Sequence, residues 1–172
     1  INTAGVYVIS GSLQGQIKVA ATNKDTVQLV LNGIDIQADK NAAIYCTQAD
    51  KLMITLAEKS ENTLQDAKTF TYEIEAEEEP NAALFSKDDL TLNGTGKLTV
   101  TANHNNGIAT KDNLLFESGT YGVTAQNNGI KGTDSVTIKD GSYTINAAGD
   151  GIQSSQTDDA EKGIVTLEGG EY

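Results

Sequence analysis

No arginine and no tryptophan occur in this 172-residue chain, and proline, cysteine, methionine and histidine occur once each. Each scarcity argues against something. Without arginine, 12 lysines face 24 acidic residues, and the net charge is −12. Neutralising phosphates needs a basic face, so no nucleic-acid partner is expected. An anionic membrane surface is disfavoured for the same reason. Acidic excess fits solubility outside the cell or cation binding. The lone Cys46 permits no internal disulfide, and with no histidine at motif spacing it reads as a small buried residue. The lone His104, between Asn103 and Asn105, reads as a turn residue. No apolar run is long enough to span a bilayer, so no membrane insertion is expected. Ile1 reads as the start of a trimmed piece, and Tyr172 as an end inside a repeat, so the C-terminus is expected to be truncated.

What the chain does have is alternation. Apolar residues alternate with polar ones over short runs, which is the pattern of strands. The 17 glycines, with many Asn, Asp and Thr, supply the turns between them.

The stretch Asn105–Ala147 holds one sentence written twice. Asn105-Asn106-Gly107-Ile108 returns as Asn127-Asn128-Gly129-Ile130, and Asp112, Gly119 and Tyr121 return as Asp134, Gly141 and Tyr143. Every matched pair is 22 residues apart. The form Asp-x-apolar-x-apolar starts at Asp25, Asp50, Asp88, Asp112 and Asp134, with steps of 25, 38, 24 and 22 residues. Gly163-Ile164-Val165-Thr166-Leu167 is a sixth copy with Gly in place of Asp. A fixed period of this size means one supersecondary unit stacked on copies of itself. The fold expected is all-β, a right-handed parallel β-helix with coils of about 22 residues, in one domain over 1–172. Residues 1–24 read as an imperfect first coil or cap. The long step contains an acidic insertion at about 57–80, read as a solvated surface or, less simply, a cation site. Within it, Thr71-Tyr72-Glu73-Ile74-Glu75 alternates like a hairpin or an extra outer strand. A second insertion, a loop at about 155–162, carries Asp158, Asp159 and Glu161.

Stacked coils lie at the inter-strand spacing, roughly 4.8 Å, so equivalent residues form columns. Four columns read as core: Ile44/Leu84/Ile108/Ile130/Ile152, Leu52/Leu90/Leu114/Val136/Val165, Ile54/Leu92/Phe116/Ile138/Leu167 and Val100/Val123/Ile145. Tyr121, Tyr143 and Tyr172, with Leu98 in register, share the parity of Val123 and Ile145. That column is either a buried aromatic stack or a sugar platform. Asn41, Asn81, Asn105 and Asn127 read as a structural amide ladder.

Asp50, Asp88, Asp112 and Asp134 form the informative column. Like charges one coil apart repel by roughly 1 kcal/mol in water and about 3.5 kcal/mol at an effective dielectric of 20. Two readings offset this. Each Asp can accept backbone N–H bonds at a turn, aided by Lys87 and Lys111. Alternatively a hard cation sits between coils, and calcium suits oxygen ligands of flexible geometry. Asn106, Asn128 and Asp150 make a second polar column beside Asp158 and Asp159, a further place for calcium, although no calcium-loop motif is present. The candidate metal residues are therefore Asp50, Asp88, Asp112, Asp134, Asn128, Asp150, Asp158 and Asp159.

With these columns in place, the chain resembles pectate-lyase-type right-handed parallel β-helices. More narrowly, it resembles a family of bacterial secreted carbohydrate-binding proteins first classed as a domain of unknown function. The resemblance lies in Asp25–Gly33, Lys51–Glu58, Ala82–Leu90, Asn128–Gly132 and Gly149–Ile152. It implies a secreted or cell-surface protein that binds cellulose-type or acidic-sugar polymers such as polygalacturonate, carries calcium, and is not an established enzyme. Lys87, Lys111, Lys131 and Asp150 are the candidate sugar contacts. A monomer or weak oligomer is expected. The runner-up is a polysaccharide lyase, which removes a proton beside a uronate carboxylate with Arg or Lys as base. Here only Lys could serve, and the acidic neighbours of Lys87, Lys111 and Lys131 favour the protonated amine, the wrong state for a base. Paired aspartates and Gly-His-Gly, used by β-helix galacturonases, are missing. A structural or adhesin solenoid is the third reading.

Overall fold

Short runs of alternating apolar residues, cut by Gly, Asn and Asp, can bury one face only by stacking on a neighbour. In the computed structural model, which describes residues 1–74, 76 and 78–172, they do so as a parallel β-solenoid of about six turns with about 24 residues per turn. β1 (Gly5–Gln14) and β2 (Ile17–Ala20) make the first turn, and β3 (Thr26–Gln37) and β4 (Ile44–Gln48) the second. Later turns have three strands each: β5 (Lys51–Leu56), β6 (Glu61–Gln65) and β7 (Ala82–Ser86); β8 (Asp89–Gly94), β9 (Lys97–Ala102) and β10 (Asn106–Thr110); β11 (Asn113–Phe116), β12 (Thr120–Ala125) and β13 (Ile130–Gly132); β14 (Ser135–Ile138), β15 (Ser142–Ala147) and β16 (Ile152–Ser154). β17 (Ile164–Leu167) begins the next.

Three faces result. β2, β4, β7, β10, β13 and β16 pair side by side as the first face. The second is the start of β3 with β5, β8, β11, β14 and β17, and the third is the end of β3 with β6, β9, β12 and β15. The long β3 bends from one to the other and joins them in one sheet.

The register reproduces the expected columns. Val27 pairs with Leu52, Leu52 with Leu90, Leu90 with Leu114, Leu114 with Val136 and Val136 with Val165. Ile44, Leu84, Ile108, Ile130 and Ile152 are likewise in register. Turns average 24 rather than 22 residues because the shorter period holds only from β10 to β16, while Val27 to Leu52 is 25 and Leu90 to Leu114 is 24 residues. The aliphatic columns are buried in one continuous core up to β14, where each such side chain contributes roughly 1.5–3 kcal/mol; at the last coil Ile145 and Ile152 are half-buried and Val165 and Leu167, expected as core, are exposed. Cys46 belongs to the core, and burial pushes its thiol up to about 11.

Tyr121 and Tyr143 of the tyrosine column lie inside, and Tyr172, at its end, is exposed. Tyr121 is 1% and Tyr143 4% exposed. Their rings stack at 5.2 Å and 14°, Tyr143 stacks on Tyr172 at 5.4 Å, and Phe116 meets Tyr121 edge-on at 5.0 Å. The ring spacing follows the coil rise. Each buried hydroxyl finds an acceptor three residues back: Tyr121 donates to the Ser118 carbonyl and Tyr143 to that of Asp140, at 2.7 and 2.9 Å. Gly119 and Gly141 sit beneath these rings at φ +122° and +129°, and a Cβ on either would fall within 3 Å of the tyrosine hydroxyl. Gly-x-Tyr is thus one structural unit.

Two expectations are corrected. The buried amide ladder is Asn106–Asn128, not Asn41/Asn81/Asn105/Asn127. Asn106 Oδ1 accepts the Asn128 N–H, and Asn128 Oδ1 accepts the Asp150 N–H. The second correction concerns the acidic insertion. Residues 61–65 are β6, a regular part of the coil, so the true excursion is 66–80. It contains no strand among its described residues, and Glu75 and Glu77 lie outside them. It is a strap: Glu73 and Glu78 are exposed, as a solvated surface would be, but Glu79 is nearly buried and the apolar side chains are packed down. Phe70, Ala67 and Tyr72 pack over Tyr45, Phe85, Ala82 and Ala109 on the outside of the first face, forming a second small core.

The buried stack carries a prediction. Tyr143→Ala should lower the unfolding free energy by about 3–5 kcal/mol, the range for deleting a buried ring. Denaturant unfolding measures it, and a variant as stable as the parent would show that the ring is not core.

Candidate functional site

The chain turns from the first face to the second at Lys87-Asp88, Lys111-Asp112 and Thr133-Asp134. Backbone bonds stack these corners: Lys111 N–H donates to Ser86 O, Thr133 N–H to Thr110 O and Asp134 N–H to Asp112 O. The side chains therefore emerge in two lines. One is lysine, Lys87 and Lys111, continued by Thr133. The other is aspartate, Asp88, Asp112 and Asp134.

Each line is partly neutralised, and the counter-charge comes from an insertion. Glu79 of the strap lies between the two lysines, 3.0 Å from Lys87 Nζ and 2.7 Å from Lys111 Nζ. Its side chain is only 12% exposed. Burial alone would push this carboxyl up, but the two ammonium groups outweigh it and hold it below the ordinary carboxylate range. Lys162, from the loop between β16 and β17, reaches Asp134 at 2.7 Å. Asp88 is satisfied differently, accepting the Ala49 N–H at 2.8 Å. Asp112 keeps the imbalance. Burial, then Asp134, Asp89 and Asp88, push its carboxyl above the ordinary range, and Lys162 opposes them only in part.

The other candidates separate. Lys131 lies not in the lysine line but on the outside of β13, in register with Ala109 and Gln153. Asp50 is exposed at its corner, its N–H donating to Asp25 O. Asn128 is committed to the buried ladder, and its Nδ2 donates to Gln153 Oε1. Asp150 is exposed and accepts from Gln153 Nε2 at 2.9 Å. Asp158 and Asp159 are exposed, and Asp159 caps its own loop by accepting the Glu161 N–H. Among the described residues, no three His, Cys, Asp or Glu side chains converge as a ready-made metal cage.

Sequence reasoning missed Glu79, Glu73 and Lys162, which belong to insertions, and Lys18 on β2, which stands in register with Tyr45 but in a first coil too imperfect to align. It also missed a polar cluster at the root of the strap. Asp66 is 1% exposed; one oxygen accepts the Asn103 N–H, and the other has no partner. Beside it, the His104 ring stacks on Phe70 at 4.1 Å and shares a hydrogen bond with the Tyr72 hydroxyl at 3.0 Å. His104 does stand in a turn, between β9 and β10, but there it anchors the strap.

A family model described as "Carbohydrate-binding domain-containing protein" matches residues 1–172. The chain belongs to this carbohydrate-binding domain family. A relative of that description from Acetivibrio thermocellus is 43% identical over 126 residues, covering 73% of this chain and 44% of the relative. The chain thus spans under half the length of that protein. Among solved structures, one described as "the polysaccharide lyase-like protein from C. thermocellum, Gadolinium derivative" superposes with a TM-score of 0.96 at 42% identity, over 99% of this chain and 69% of the other.

A carbohydrate-binding domain usually offers aromatic faces or convergent polar groups. Here Tyr121 and Tyr143 are consumed by the core. The outer surface presents polar lines instead: the corner just described and, on the second face, a hydrogen-bonded row Gln28–Thr55–Asn93–Glu117.

Asp66 yields a pH prediction. Burial pushes its carboxyl up to about 6, above its unfolded value. The folded state then holds the proton more tightly than the unfolded chain does. The contribution of Asp66 to stability is greatest below about pH 4 and is lost as pH rises towards 6, by up to about 3 kcal/mol. The stability difference between the parent and Asp66→Asn should therefore change across pH 4–6 and stay flat above it. A difference independent of pH would refute the assignment.

Proposed function

We propose that this carbohydrate-binding domain is an extracellular or cell-surface module that binds plant-type polysaccharides, with acidic polymers such as polygalacturonate preferred to neutral cellulose-type chains, and that calcium assists. The observation that carries the reading is Glu79. One carboxylate already rests between two ammonium groups on successive coils, at 3.0 and 2.7 Å. The two lysines stand on successive coils, so the pair lies along the axis, the direction in which an extended acidic polymer would run. Opposite charges at such distances are favourable even near water.

Calcium fits the neighbouring line in part. Asp88, Asp112 and Asp134 supply hard oxygen donors, and Asp112 bears uncompensated negative charge. Calcium takes six to eight oxygen ligands, and the corner alone brings too few together. The missing oxygens would come from sugar carboxylates, so the cation joins protein to polymer.

The relative's description as polysaccharide lyase-like favours a second reading, cleavage of uronate polymers. Against it, Lys87 and Lys111, the corner's amines, are both engaged in ion pairs with Glu79 rather than turned towards a substrate proton.

Polygalacturonate binding measured by affinity electrophoresis should weaken severalfold when calcium is chelated, and Asp112→Asn should remove most of that dependence. Binding indifferent to the chelator would remove calcium from the proposal, and absence of any binding would remove acidic polymers. Release of ultraviolet-absorbing unsaturated uronate would replace the binding reading with the lyase.

A further inference from the structure

Between the strap and the first face lies a cleft of about 200 Å³. Tyr45 and Thr47 of β4 line it, together with two lysine–glutamate pairs, Lys18–Glu73 and Lys87–Glu79. In both pairs the lysine belongs to the solenoid and the glutamate to the strap. The strap's apolar anchor, Phe70, and its hydrogen-bonded Thr71 both precede the cleft. From residue 72 to Pro80, the described residues make no backbone hydrogen bond to a strand. Glu73 and Glu79 are therefore held largely by their side-chain charges, whereas the lysines opposite them are fixed by ladder positions.

We propose that the Lys87–Lys111 fork is a binding site for the carboxylate of an acidic sugar, filled in the free protein by the strap's own Glu79, which the sugar displaces into solvent. The inference rests on the acidic-polymer reading above and adds a resident competitor to it. The exchange is like for like. One carboxylate leaves two ammonium groups and another takes its place, so no buried cation is stranded, and displacement disrupts no ladder bond. A neutral sugar brings no such replacement and leaves Glu79 seated. The cleft beside the fork gives the incoming ring a place against Tyr45 once Glu79 has swung away. Competition of this kind lowers apparent affinity by the fraction of time the fork is free. A polymer presenting many linked carboxylates overcomes it through effective concentration, where a single sugar does not. The strap would thus select dense polyuronates against scattered anions.

The test is titration calorimetry with polygalacturonate and with fully methyl-esterified pectin on the parent, Glu79→Gln, Glu79→Asp and Lys111→Ala, with thermal unfolding of each as a fold check. Glu79→Gln should bind polygalacturonate roughly fivefold or more tightly than the parent, the lower end of ordinary coupling between sites. Glu79→Asp, whose carboxylate is withdrawn by one methylene, should move in the same direction, and Lys111→Ala should bind more weakly. Affinity for the esterified polymer should not respond to the Glu79 changes. Parent binding that is unchanged or weakened in both Glu79 variants overturns the competitor and leaves the acidic-polymer reading standing. Failure of all four proteins to bind polygalacturonate overturns both.

Discussion

Stacking at the inter-strand distance is the constraint on which this molecule depends. Each coil places its residues directly over those of the coil before, so whatever the repeat contains becomes a line. For Leu90, Leu114 and Val136 the result is a continuous core, and for Tyr121 and Tyr143 a ring stack. For amides it is a ladder that satisfies backbone donors, as in Asn106 and Asn128. For charge the same geometry is adverse. Lys87 sits over Lys111, and Asp88, Asp112 and Asp134 share one edge. A regular repeat cannot relieve this, because its next coil brings the same sign again.

Relief comes from the places where the repeat is broken. The strap carries Glu79 to the lysine line and Glu73 to Lys18, and the loop before β17 carries Lys162 to the aspartate line. Both insertions thus deliver a charge opposite to the column they reach. The match is incomplete at Asp112, whose carboxyl stays perturbed by its neighbours. Surface ion pairs contribute little to stability on their own. Their consequence here is placement: they hold the outer part of the strap over the first face.

Periodicity made the coils legible. The Asp-x-apolar-x-apolar starts, with the Gly163 copy, named every strand of the second face from β3 to β17 in correct register, and parity favoured the inside for Tyr121 and Tyr143, leaving the choice between stack and sugar platform to their burial. The same logic failed where one residue of offset decides the outcome. Asn105 and Asn106 are neighbours in a turn, and only the second points inward. It failed again at Lys131, which shares an acidic setting with Lys111 but lies two residues before its corner. Insertions follow no period, so nothing in the sequence paired Glu79 with Lys87 and Lys111, or Phe70 with His104. The acidic composition of 66–80 disguised a segment whose apolar side chains make its principal contact.

These failures and the candidate site coincide for a physical reason. A ladder residue is fixed by bonds on both sides and has one position available. Glu79 has no such bonds. Its described side-chain partners are the two lysine ammonium groups, and the exchange proposed above is one in which another anion takes its place on them. Lys162 differs, because the backbone of its loop is tied down on both sides: Ser155 and Gln156 N–H donate to Thr133 O, and Gly163 N–H donates to Asp134 O at 2.7 Å. The counter-charge on the aspartate line is thus tied down by backbone bonds, and the one on the lysine line rests on its ion pairs. Under the proposed function, preference for an anionic polymer would follow from that asymmetry, because the position proposed to exchange is the one whose partners are cations.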